Sequence, residues 1–97
     1  MESEINMFTK AEEALIDNEY FIKIRETENY IEFKSKNTKH CWIVQKHFFD
    51  DDKRIYIYHK HSQKQPYYHQ HYKTHTVSMA IKSIKKHDEY VLANAYH

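Results

Sequence analysis

Apolar and polar residues alternate along much of the chain between residues 20 and 73, and this alternation predicts β-strands. In the first two strands, Ile22, Ile24, Ile31 and Phe33 recur at every second position and are expected to form one buried face. The run at 41–44 is apolar on both faces, as in a central strand. The predicted strands lie at about residues 20–25, 30–34, 41–48, 54–60 and 67–73.

The spacing of apolar residues changes to a helical period at both ends, which predicts helices at about 9–17 and 76–92. Thr9 and Glu12 have the spacing of a capping box, and Thr74 or Thr76 can cap the second helix. The whole chain, residues 1–97, is therefore expected to form one α+β domain. Its core would be an antiparallel meander of four to five strands, with both helices packed on one face.

Composition excludes several classes of protein. The 97 residues contain no glycine and one proline, which excludes the glycine-rich phosphate loops of P-loop and dinucleotide-binding enzymes. The single cysteine, Cys41, excludes internal disulfides and cysteine-rich metal clusters. Asp50, Asp51 and Asp52 lack the spacing and the glycine of a calcium loop and are interpreted as a polar turn. With no long apolar run and an acidic start, MESEIN, the protein is expected to be cytoplasmic, without membrane contact.

Charge is divided unevenly along the sequence, although the net charge is only +1. Residues 1–52 carry twelve Asp and Glu against seven Lys and Arg, whereas residues 53–87 carry eight Lys and Arg and no carboxylate. Such an asymmetry favours an anionic partner.

The basic part contains an aromatic segment, residues 54–75, which holds five of the nine tyrosines and five of the nine histidines. It is predicted to form a β-hairpin with a loop at 62–66. In the simplest register Tyr56 pairs with Tyr72 and His59 with His69, so that tyrosines and histidines lie on opposite faces.

The tyrosine face suggests binding of single-stranded nucleic acid, because bases stack on aromatic rings and lysines meet phosphates. Tyrosine is also a good strand former, and a half-exposed sheet carries it without any ligand. The predicted nucleic-acid-binding residues are Arg54, Tyr56, Tyr58, Lys60, Tyr68, Tyr72 and Lys73.

The other face would carry His59, His61, His69 and His71. Imidazoles at this spacing can bind zinc, copper or nickel. The segment offers no carboxylate for a catalytic site, and such histidines more often form a hydrogen-bonded or pH-responsive surface. These four histidines are therefore kept as candidate ligands, while no metal site and no cofactor is predicted.

The arrangement of elements also resembles a known group of proteins. A first helix ending near DNEYFIKIRETENYIEF, a strand meander and a closing helix TVSMAIKSIKKHDEYV resemble small proteins of unknown function from low-GC Gram-positive bacteria and their phages. The resemblance implies a phage or mobile-element accessory protein and no particular activity. The sequence thus predicts a binding protein rather than an enzyme, with nucleic acid as its target. The alternative is a protein-interaction module or an inhibitor of a larger enzyme.

Overall fold

A computed structural model describes residues 8–46 and 54–94. It confirms an α+β fold in which a short helix precedes five strands and a long helix follows them. The elements are α1 (Lys10–Leu15), β1 (Phe21–Glu26), β2 (Tyr30–Ser35), β3 (Cys41–Lys46), β4 (Ile55–Lys60), β5 (His69–Thr74) and α2 (Val77–Asn94).

The five strands form one antiparallel sheet in which each strand pairs with its neighbour in sequence, in the order β1-β2-β3-β4-β5. The predicted meander is therefore confirmed, with five strands. The apolar strand β3 is central, as its sequence indicates, and Cys41, Trp42 and Val44 are fully buried. Side chains alternate along the strand, so Trp42 and Val44 join the core, whereas Cys41 and Ile43 point to the other side of the sheet, where Cys41 is also fully buried.

Both helices contribute to a core on one face of the sheet. Helix α2 packs on β4 and β5 and also contacts α1. Among the described residues no helix has the length and apolar character needed to span a bilayer. The buried apolar core consists of Phe8, Ile16, Phe21, Ile31, Phe33, Trp42, Val44, Ile55, Ile57, Val77, Ala80, Ile81 and Ile84.

The helix starts follow the predicted capping residues. The Glu12 amide donates to Thr9 Oγ1 at 3.0 Å and the Thr9 amide donates to Glu12 Oε1 at 2.9 Å, which completes the capping box. At α2 the Met79 amide donates to Thr76 Oγ1 at 3.1 Å, so that Thr76 is the cap. These bonds satisfy amides that the first turn of a helix leaves without partners.

The predicted orientation of β1 is wrong. Phe21 is 1% exposed and faces the core opposite Ser35, whereas Ile22 and Ile24 are 40% and 36% exposed. Because side chains alternate along a strand, the burial of Phe21 turns Ile22 outward. A bulge between Lys23 and Arg25 then shifts the register of this edge strand relative to β2.

The predicted register of the last hairpin is correct near its loop and wrong farther away. His59 pairs with His69 and Tyr58 with Gln70, but Ile57 then pairs with Tyr72. His71 is the extra residue of a bulge, and Tyr72 consequently packs against the core instead of facing Tyr56.

Boundaries of several elements also differ from the prediction. The last strand begins at His69, so that Tyr67 and Tyr68 lie in the preceding loop. The end of the predicted strand 41–48 and the turn at Asp50, Asp51 and Asp52 fall outside the described residues.

Candidate functional site

The side of the sheet that no described helix covers carries the tyrosines, and we call it the open face. Its side chains follow from the strand registers. One row across the strands contains Tyr30, Gln45, Tyr56 and Lys73, in that order. The next row contains Arg25, Glu32, Ile43, Tyr58 and Gln70. A third row contains Ile22, Lys34, Cys41 and Lys60.

The structure brings four of the predicted nucleic-acid-binding residues together on the open face. These are Tyr56, Tyr58, Lys60 and Lys73. Arg54 is exposed immediately before β4. Lys73 Nζ lies 4.7 Å from the centroid of the Tyr56 ring, which is a cation–π contact.

The other two predicted residues, Tyr68 and Tyr72, have structural contacts. The Tyr68 hydroxyl donates to Glu32 Oε2 at 2.8 Å, and Lys60 Nζ lies 4.6 Å from the Tyr68 ring centroid. Burial, followed by the bond to Glu32, raises the pKa of Tyr68. Tyr72 is half-buried against the core, and this burial raises its pKa.

The charge of the open face is predominantly positive. The three rows contain four cationic side chains and one carboxylate, that of Glu32. Lys34 and Lys60 flank Cys41 in the third row, and burial raises the pKa of its thiol. The face is therefore suited to an anionic partner, although Glu32 interrupts the positive charge.

A second group of functional side chains lies on the helix-covered side, where six histidines form what we call the histidine cluster. They come from four places in the fold: the residue before β3, the β4 strand and its end, the β5 strand, and α2. The members are His40, His59, His61, His69, His71 and His87.

His59 is the centre of the histidine cluster and is 2% exposed. Its Nε2 atom lies 2.8 Å from His40 Nδ1, a hydrogen-bond distance. Its ring stacks on Trp42 with 4.2 Å between centroids, and the His87 ring lies 4.8 Å from it. Ring nitrogens of His40, His59 and His87 lie within 4.8 Å of one another.

Burial favours the neutral imidazole at four members of the histidine cluster, His40, His59, His71 and His87. Burial first, and then the neighbouring His87, His40, His71 and His61, lower the pKa of His59 to about 3. Burial is also the main reason why the pKa values of His40, His71 and His87 are lowered. Neutral imidazoles carry a lone pair that can accept a proton or bind a metal ion.

The sequence analysis identified His59, His61, His69 and His71 but missed His40 and His87. The helical period gives a signal for the second of these, because the buried stripe of α2 that includes Ile84 continues to positions 87 and 88. His40 carries no comparable local signal. It approaches His59 only because β3 pairs with β4.

Asp88 lies next to this cluster and is fully buried. It accepts hydrogen bonds from the Tyr20 hydroxyl and from Thr38 Oγ1, both at 2.9 Å. These bonds connect α2 to the residue before β1 and to the turn after β2. The negative charge of Asp88 also acts to raise the pKa of His40 and His87, but burial has the larger, opposite effect.

Comparison of the chain with protein-family models, with curated proteins and with solved structures gives no match.

Proposed function

We propose that this protein is a binding protein that holds single-stranded nucleic acid on the open face of its sheet. The observation that carries the proposal is the placement of Tyr30, Tyr56 and Tyr58 in two adjacent rows with cationic side chains. Exposed sheets with this composition bind bases by stacking and phosphates by charge.

The position of Lys73 over the Tyr56 ring is compatible with such a ligand. An exposed cation–π contact contributes about 0.5–1 kcal/mol, whereas stacking of a base on an aromatic ring contributes about 1–3 kcal/mol. A base can thus displace the ammonium group from the ring. The displaced Lys73 then remains within reach of the adjacent phosphate.

Fluorescence anisotropy with a labelled single-stranded oligonucleotide at low salt tests the proposal. Replacing Tyr56 and Tyr58 together by alanine should weaken binding at least about tenfold, since two stacking partners are lost. Tyr90→Ala is the matched control, because Tyr90 is 68% exposed on α2 and outside the open face. Equal binding by the double variant and the wild type would overturn the proposal.

A protein target is the second candidate, and the exposure of Ile22 at 40% favours it because this side chain shares the open face. Protein interfaces also favour tyrosines at their centres. Salt separates the two candidates: affinity for a single strand should fall with log[salt] by about 0.7 per phosphate contacted, whereas docking through apolar rings weakens less. An inhibitor of a larger enzyme would use the same face. A cytoplasmic location and a phage or mobile-element origin stay predictions.

A further inference from the structure

The histidine cluster contains three imidazoles from three separate segments that point toward one place. His40 precedes β3, His59 lies in β4 and His87 lies in α2, and their ring nitrogens lie within 4.8 Å of one another. Zinc–nitrogen bonds are about 2.0–2.1 Å long, which places the nitrogens of two tetrahedral ligands a little over 3 Å apart. The three nitrogens are up to 4.8 Å apart, so ligation would require the rings to rotate toward one point, and bonds to the metal would replace the 2.8 Å hydrogen bond between His40 Nδ1 and His59 Nε2.

Packing alone does not account for this arrangement of polar rings. His87 Nδ1 is buried and has no hydrogen-bond partner among the described residues. A buried polar atom without a partner is unfavourable, because the atom has lost its water and gained nothing in return. A bound metal ion would provide the missing partner.

We propose that His40, His59 and His87 bind one divalent transition metal ion of the zinc class through their ring nitrogens. Three imidazoles with one further position, for water or another side chain, form a common zinc arrangement. His61 stands beside that position, with its ring centroid 5.1 Å from that of His40 and 5.2 Å from that of His59.

The chemistry of the donors selects the class of metal. Neutral imidazole nitrogens suit zinc, copper and nickel, whereas magnesium and calcium require oxygen ligands, which this set does not contain.

Charge around the cluster also favours a cation. Three neutral imidazoles leave both positive charges of the ion uncompensated, and Asp88 supplies a fully buried carboxylate next to His87 in sequence. Because Tyr20 and Thr38 donate to Asp88, the carboxylate is held in place without ligating the metal itself. It would stabilise the ion electrostatically.

Trp42 provides a direct spectroscopic readout of the site. It is the only tryptophan of the chain, and its ring lies 4.2 Å from His59 and 5.1 Å from His87 between centroids. Cobalt bound at this distance quenches indole fluorescence, and a tetrahedral cobalt site has characteristic visible absorption. Zinc binds to the same ligands and should reverse both signals.

The experiment titrates the full chain, prepared without a histidine tag and treated with a chelator, with cobalt chloride and then with zinc chloride. We expect one ion per chain, quenching of Trp42 by cobalt and recovery with zinc. His87→Gln removes one of the three ligands and should weaken zinc binding at least about tenfold. His75→Gln is the control, since His75 is exposed in the turn before α2.

A second ligand variant keeps the test decisive should His87→Gln fail to fold by circular dichroism. His40→Gln changes a half-buried side chain outside the helices and should weaken zinc binding equally. The proposal is wrong if the wild type gains no cobalt absorption and no Trp42 quenching. It is also wrong if the folded ligand variants bind zinc like the wild type, because the binding histidines would then lie elsewhere.

Discussion

The two faces of the sheet carry different chemistry that is assembled in different ways. On β4, Tyr56 and Tyr58 point to the open face, whereas Ile57 and His59 point to the helix-covered side. The open face takes its tyrosines from β2 and β4, on either side of β3, and leaves them half-buried at the surface. The histidine cluster instead joins distant segments beneath a helix, so that its properties depend on the fold being complete.

The largest expected contrast concerns stability. Trp42→Ala removes a fully buried ring that stacks on His59 and whose Nε1 donates to Ser35 Oγ at 3.2 Å. We expect a loss of about 3–5 kcal/mol in the free energy of unfolding. Tyr58→Ala on the open face should cost only about 1–2 kcal/mol, because Tyr58 is half-buried.

Urea unfolding followed by circular dichroism measures both variants, since Trp42→Ala leaves no tryptophan to observe. Equal losses for the two variants would mean that the open face is as well packed as the covered face. The distinction between a surface and a core would then disappear.

Local sequence predicts one face better than the other, for a physical reason. Alternation along β4 is a property of consecutive residues, so the sequence places Tyr56, Tyr58 and Lys60 together without knowledge of tertiary structure. The bulge at His71 removes Tyr72 from that face, and nothing in the local pattern of alternation marks it.

Prediction of the whole histidine cluster requires long-range contacts that no single segment of the sequence reveals. His59 and His69 pair as the hairpin register predicts, and they are the paired residues nearest to the connecting segment, residues 61–68. His40 and His87 join them through the pairing of β3 with β4 and the packing of α2. The edge strand β1 gives a similar case, because it has apolar residues on both faces. Tertiary packing, and not the local pattern, determines that Phe21 is buried and Ile22 is exposed.

Acid should act on the covered face in the metal-free protein. Below about pH 6.5 the histidines of the unfolded chain take up protons, whereas burial lowers the pKa of His59 in the folded protein to about 3. The unfolded state therefore binds more protons, and stability falls as the pH decreases from about 6.5 toward 3. For His59 alone the loss is about 1.4 kcal/mol per pH unit within this range.

Urea midpoints measured with a chelator at several pH values between 4.5 and 7.5, by Trp42 fluorescence, check this prediction. His59→Gln, if it folds, should reduce the pH dependence, whereas His75→Gln should leave it unchanged because His75 is exposed. A stability that stays constant between pH 6.5 and 4.5 would show that the cluster accepts protons without penalty.

The smallest expected change in stability concerns the open face. Lys60→Gln removes a cation whose Nζ lies 4.6 Å from the Tyr68 ring centroid and donates to the Gln65 carbonyl at 3.0 Å. The cost in unfolding free energy should be about 0.5–1 kcal/mol or less, as for other exposed cation–π contacts. Its effect on oligonucleotide binding should be larger, with weaker affinity at low salt and a salt dependence shallower by about 0.7 in log–log slope.

Lys82→Gln is the matched control for this last comparison, because Lys82 is exposed on α2, away from the open face. Both variants lose one positive charge, so a general attraction between the protein and a polyanion would weaken equally in the two. A loss confined to Lys60→Gln, measured by anisotropy over a salt series, would assign the phosphate contact to the open face. Equal losses would instead indicate binding by net charge, with no defined surface.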